Sequence, residues 1–182
     1  MQSARLLDRF DIRPPELSDA AALAAAYDRN REHLAPYEPR RTPAFYTTVA
    51  QREALAVTLE AARHRRSAGW LIFDEARVIG RINLNSIVLG AAHCAHVGYW
   101  VDGEYTGLGL ATASTEFACA AAAQLGLHRV EAGTLTDNAA SKAVLRKCGF
   151  EPIGHAPKYL HINGAWRDHD LFQRILHDRP PE

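Results

Sequence analysis

Cysteine is scarce in this 182-residue chain: Cys94, Cys119 and Cys148 are an odd number, far apart, with no Cys-x-x-Cys pair. A disulfide framework and a structural zinc site are therefore not expected, and His155, His161, His169 and His177 lack metal-ligand spacing, so no metal is expected. Net charge is also missing, with 21 basic residues against 21 acidic ones. A nucleic-acid binder would carry a basic excess. No long apolar run occurs, and residues 1–8 have no apolar core of signal length, so neither a membrane span nor a secretory leader is expected. The expectation is a reduced, cytoplasmic protein. Lysine is nearly absent, with basic charge almost all arginine, which together with abundant alanine points to a GC-rich genome rather than to function. What is present is 47% hydrophobic residues, enough to bury the core of one domain over residues 1–182.

Periodicity divides the chain. Residues 5–13 read as an edge strand ending at Pro14-Pro15. Ser18 and Asp19 open an alanine-rich helix to about Asn30, and Thr42-Pro43 opens a second that runs to the Arg63–Arg66 cluster. Trp70–Phe73, Val78–Ile87 and Ala95–Val101 read as strands. A helix over 109–124 capped by Gly126, a strand over Arg129–Leu135 and a short helix after Asn138 closing at Gly149 follow. Two final strands, Ile153–Ile162 and Ala165–Ile175, flank Asn163-Gly164, a strong hairpin signal. Seven strands mixed with helices make an α/β (α+β) fold, and a right-handed crossover would set the 95–101 and 129–135 strands side by side.

Thr106-Gly107-Leu108-Gly109-Leu110-Ala111 sits between a strand and a helix. Its two glycines remove the Cβ atoms that would keep an anion from the backbone, and the amides of Leu108 to Ala111 are orphaned at a helix start. No Gly-Lys-Ser/Thr follows, so it is not a P-loop, and Thr112 replaces the third glycine of a dinucleotide fingerprint. On its own the loop reads equally well as a phosphate cradle or an ordinary turn.

Its neighbours decide. In order, Ala95-His-Val-Gly-Tyr-Trp-Val101, the Gly107 loop, Leu125-Gly-Leu-His-Arg-Val-Glu-Ala132, Asn138-Ala-Ala-Ser141 and Lys147-Cys-Gly-Phe150 resemble the GNAT acetyltransferases. More narrowly they resemble the branch that acetylates the N-terminal alanine of ribosomal proteins. Asn30–Leu34 with Pro36-Tyr37 is similar to that branch's first helix corner, and Asn163–Asp168 to its terminal hairpin. The resemblance implies a mixed, mostly antiparallel seven-stranded sheet with helices on both faces, splayed between its fourth and fifth strands. It implies acetyl-CoA as co-substrate, its pyrophosphate on the amides of Thr106, Gly107, Leu108, Gly109, Leu110 and Ala111 and its pantetheine along the backbone of Trp100 and Val101. Asn138 and Ser141, one turn apart, would contact pantetheine and sulfur, although Asn138 is also a favoured N-cap. Arg146 and Lys147 would face the adenosine phosphates. A homodimer is implied as well.

Two residues depart from the family pattern. Thr106 stands where glutamine or arginine is usual, so weaker CoA binding is expected. His96 stands where the strand usually carries glutamate, which leaves the general base open between His96, Glu131 on the next strand, and a water chain. Direct attack of a neutral amine on the thioester needs that base, an oxyanion donor on the Val97–Trp100 backbone, and an acid for the thiolate, for which Ser141 is the candidate. Glu32, His33, Tyr37 and Tyr99 are expected around the acceptor. Cys148 is read as packing, Asp168 as structural in the hairpin, and Trp70, Trp100 and Trp166 as core aromatics. The expected acceptor is a protein N-terminus; a small amine, or no catalysis at all in a CoA-binding sensor, are the alternatives.

Overall fold

The computed structural model describes residues 2–180. Eight strands are formed: β1 (Ala4–Leu6), β2 (Phe10–Arg13), β3 (Ala68–Asp74), β4 (Arg77–Val88), β5 (Cys94–Val101), β6 (Arg129–Leu135), β7 (Glu151–Ile162) and β8 (Ala165–Ile175). They join one sheet in the order β1-β2-β3-β4-β5-β6-β8-β7, antiparallel except where β5 runs parallel to β6. The helices are α1 (Ala20–Arg29), α2 (Arg31–Leu34), α3 (Thr48–Arg63), α4 (Leu110–Gln124) and α5 (Ala139–Lys147).

The count is eight, not seven, because residues 5–13 fold as a hairpin. Leu6 and Leu7 are adjacent and cannot both face the core on one strand. The chain resolves this by turning at Leu7 and Asp8, φ 51° and 54°, which buries Leu6 and exposes Leu7. The second expected helix likewise divides, into a 3-10 turn over Pro43–Tyr46 and α3, whose N-cap Thr47 accepts from the Ala50 N–H at 3.3 Å.

β3 shows why the sheet is covered on both sides. Trp70 and Ile72 point into a core shared with α4, while Leu71 and Phe73 point into a second core under α1 and α3. Hence its continuous apolar run. The buried face of α4 is built mostly of small residues, Ser114, Thr115, Ala118, Cys119, Ala121 and Ala122. α5 ends as its sequence demands: Gly149 takes φ 72°, its N–H bonds Arg146 O, the Phe150 N–H bonds Leu145 O, and Phe150 is buried. Asp168 does serve the hairpin, its carboxylate accepting from the Lys158 N–H at 2.8 Å.

The functional geometry comes from one short pairing. β5 and β6 are paired only at Cys94↔Arg129, Ala95↔Val130 and His96↔Glu131. Past that rung β5 stays with β4 through Val101 and β6 stays with β8 through Leu135, so the two parallel strands part.

Candidate active site

The gap between β5 and β6 is lined by backbone. Asp102 N–H donates to Ile79 O on β4 at 2.8 Å. Antiparallel alternation then turns the polar groups of Trp100, Gly98 and His96 toward β4, and those of Val97, Tyr99 and Val101 toward the gap. Trp100 therefore cannot offer its own amide there, contrary to the expectation for Trp100 with Val101. Its indole lies in the α1/α3 core, donating to the Tyr27 hydroxyl at 3.1 Å. His33 Nε2 sits 3.2 Å from Val101 O, so the ring carries its proton on that nitrogen and Val101 keeps only its N–H for the gap.

The glycine loop closes the open end of the gap. Gly107 and Gly109 have φ 78° and 81°, left-handed values that other residues resist, and a Cβ on either would meet nothing within 4 Å. That open space lies over the start of α4. The first main-chain bond of the helix is Ala113 N–H to Gly109 O at 3.0 Å, which leaves the preceding amides for an anion. Thr106 Oγ1 is turned inward onto Gly103 O at 3.0 Å, so it adds no donor to the mouth.

On the α4 side of the gap Tyr99 and Ser141 meet, hydroxyl to hydroxyl at 3.1 Å. Burial pushes the Tyr99 phenol up to about 12, so it remains a proton donor across the working range, and Ser141 only partly offsets that shift. Asn138 is the N-cap of α5, its Oδ1 accepting from the Ser141 N–H at 3.0 Å, and only its NH2 is left for a ligand. Cys148 is buried and burial raises its thiol to about 12, which suits packing and not nucleophilic attack.

Across the sheet, on the α1/α3 face, the last paired rung carries chemistry. Glu131 lies between Arg129 at 2.7 Å and His96 Nε2 at 3.5 Å, with His96 far more exposed than the carboxylate. Glu131 thus bridges a cation and the His96 ring. The helix corner is more dispersed. Glu32 lines a cleft of about 380 Å³ with Arg31, Glu38, Arg40 and Arg41, while Tyr37 is exposed and His33 is occupied with Val101. Glu38 escaped sequence reasoning: burial raises its carboxyl despite the pull of Arg41 and Arg81, and its carbonyl accepts from the Asn163 N–H at 2.9 Å, tying the corner to the β7–β8 hairpin.

A parting parallel pair, a glycine cradle at a helix start and a hydroxyl pair beside the gap are what a thioester-bearing nucleotide needs. The acetyltransferase (GNAT) domain model matches residues 9–151. The chain belongs to the GNAT acetyltransferases. It is 31% identical over 177 residues to the ribosomal protein uS5-alanine N-acetyltransferase of Escherichia coli, covering 96% of this chain and 91% of that one. The crystal structure of the ribosomal-protein-S5-alanine acetyltransferase of Vibrio fischeri superposes with a TM-score of 0.94 at 34% identity, covering both chains fully. Mycobacterium smegmatis RimJ, solved with CoA-disulfide, gives 0.89 at 30% identity, covering 96% of this chain and 86% of that one. This GNAT chain is accordingly an acetyl-CoA-dependent N-acetyltransferase, and its cradle can be tested directly. Gly109→Val adds a Cβ in a left-handed conformation, costing roughly 1–2 kcal/mol, and crowds the anion. The expected result is a KM for acetyl-CoA raised about tenfold or more; ordinary acetyl-CoA saturation would refute the placement.

Proposed function

We propose that this enzyme acetylates the α-amine of a protein N-terminus, of the alanine type found on ribosomal proteins. The observation carrying the reading is near full-length similarity to the uS5-alanine enzymes, joined to an open groove between α3 and β4 on the face opposite Ser141.

In this reading the acetyl-CoA pyrophosphate rests on the amides from Gly107 to Ala111, and Arg146 and Lys147 on α5 face the adenosine phosphates. Pantetheine pairs with the gap-facing groups of Val97, Tyr99 and Val101 and with the Asn138 amide. His96 takes the proton of the acceptor ammonium, and Glu131 steadies the imidazolium. The amine lone pair then forms a bond to the acetyl carbon while a gap-facing N–H of Val97 or Tyr99 holds the oxyanion, a type of donor worth about 3 kcal/mol. As the C–S bond breaks, Ser141, backed by the Tyr99 hydroxyl, gives a proton to the thiolate and regains one from the nitrogen, which loses its extra proton as the amide forms. The products are an N-acetylated chain and CoA.

A thiol-release assay with acetyl-CoA, alanine-headed peptides, polyamines, amino acids and aminoglycosides tests this. Turnover with the peptides at a kcat/KM well above that for every small amine is the expected outcome. Preference for a small amine would move the acceptor class, and CoA binding without turnover on any amine would make the chain a sensor.

A further inference from the structure

The floor of the acceptor groove contains two asparagines with no part in the steps above. The groove, about 760 Å³, runs between α3 and β4 and has Arg81, Asn83 and Asn85 along its base. Alternation sets these three side chains on the same face as His96 and Gly98, since Asn85 is paired with His96 and Asn83 with Gly98. Asn85 is therefore on the rung where β5 and β6 part.

Asn83 is held in place, while Asn85 stands exposed at the end of the paired stretch. The Asn83 Oδ1 accepts from Arg81 Nε at 3.1 Å, and Arg81 is braced in turn on Thr58 of α3 at 3.3 Å. Gly69 on β3 makes room for that oxygen: a Cβ there would come within 2.7 Å of it. With Oδ1 engaged, the Nδ2 of Asn83 is the free end. The Asn85 Nδ2 lies over Gly98, 3.7 Å from where a Cβ would stand. Beyond it the β4–β5 register slips between Asn85 and Val88, and Ser86 sits at φ 50° without being glycine. Such bulges re-aim the neighbouring side chain, and strain of this kind is retained where it has a use.

Two carboxamides two residues apart on one strand are about 6.8 Å apart, the repeat at which an extended peptide presents alternate carbonyls on one side. A simple amine offers nothing at that spacing. Resting on the acetyltransferase reading above, the geometry points to Asn85 and Asn83 as the residues that select a peptidyl acceptor. Asn85 donates to the carbonyl of the acceptor's first residue, and Asn83 donates to the carbonyl two residues on. The amine then lies beside His96, with the chain running along β4 toward Arg81 and Glu38. The substrate class is an α-amine followed by an amide, on an extended N-terminal segment.

Alaninamide and isopropylamine have the same branched amine and differ in the carbonyl, so their ratio of kcat/KM isolates the contact. Losing one neutral hydrogen bond changes affinity about tenfold. Asn85→Ala is expected to cut the alaninamide-to-isopropylamine ratio about tenfold, and Asn85→Asp, which keeps the shape but removes the donor, to do the same. Asn83→Ala should leave that ratio and raise KM for an alanine-headed tetrapeptide by a similar factor. Calorimetric binding of the tetrapeptide to the CoA complex supplies a readout without turnover. Transfer with unchanged ratios and peptide affinity in all three folded variants overturns this assignment and leaves the enzyme reading standing. Asparagine-dependent peptide binding without transfer to any amine overturns the enzyme reading and leaves the groove assignment standing. Neither binding nor transfer by the parent protein overturns both.

Discussion

Replacing His96 with alanine is expected to lower kcat by about 10²- to 10⁴-fold, the usual contribution of a general base, and to flatten the acidic limb of the kcat–pH profile. The reasoning is geometric. His96 is the last residue of β5 that still pairs with β6, so its ring stands on the acceptor face where the gap begins. Glu131 faces it at 3.5 Å and is itself held by Arg129 at 2.7 Å. Glu131→Gln should cost less than His96→Ala, because it removes a neighbour of the proposed base and not the base itself. The two alternatives for the base predict different patterns. If Glu131 worked through water, its variant would be the more damaged; if a water chain sufficed, neither would alter the limb. A His96→Ala enzyme with the parental pH profile ends the assignment. The measurement is kcat at saturating acetyl-CoA and peptide across the pH range in which the fold is stable.

How far the sequence speaks depends on how local each feature is. The geometry of the glycine loop was legible because everything it needs lies within six residues: two glycines at left-handed φ and a helix start with no side-chain cap. The α5 terminus and the Asn163-Gly164 turn were legible for the same reason. The contact between Tyr99 and Ser141 is not legible in sequence, because it depends on α5, 42 residues away, bringing the serine to the phenol. Trp100 was credited with a backbone contact because strand alternation at the gap becomes known only when Asp102 is seen to bond β4. Asn83 and Asn85 gave no signal at all: polar residues alternating with Ile82 and Leu84 look like any solvated strand face, and the bulge beside them turns on a serine rather than a glycine. The pairing of Glu131 with His96 is not legible in sequence either, because it follows from the parallel register of β5 and β6.

Asp102→Ala is expected to destabilise the fold by about 1.5–3 kcal/mol, the scale of losing hydrogen bonds between a buried carboxylate and partly exposed arginines. Asp102 is 1% exposed at the end of β5, where three parts of the molecule converge. Its Oδ2 accepts from Arg29 Nε at 2.9 Å and Nη2 at 2.6 Å, and from Arg77 at 3.3 Å; its Oδ1 accepts from the Glu104 N–H at 3.0 Å and so caps the turn leading into the cradle. Arg29 also donates to Val78 O at 2.9 Å, which ties α1 to β4. Removing the carboxylate therefore strands Arg29 and loosens the cradle entrance and the acceptor corner together. The pH dependence has a definite sign. Burial alone would raise the Asp102 carboxyl, but its bonds with Asn30, Arg29 and the Glu104 amide outweigh that and hold it below the ordinary range. A depressed native value stabilises the fold above the unfolded value, near 3.9, and that stability is lost as pH falls through the native value. Denaturant unfolding of parent and Asp102→Asn at pH 7, 5, 4 and 3 should show a stability gap that is constant at the upper two values and narrows below 4. A gap independent of pH over that window would mean that the charge of Asp102 does not hold this junction, and that Asn30 and the backbone carry it alone.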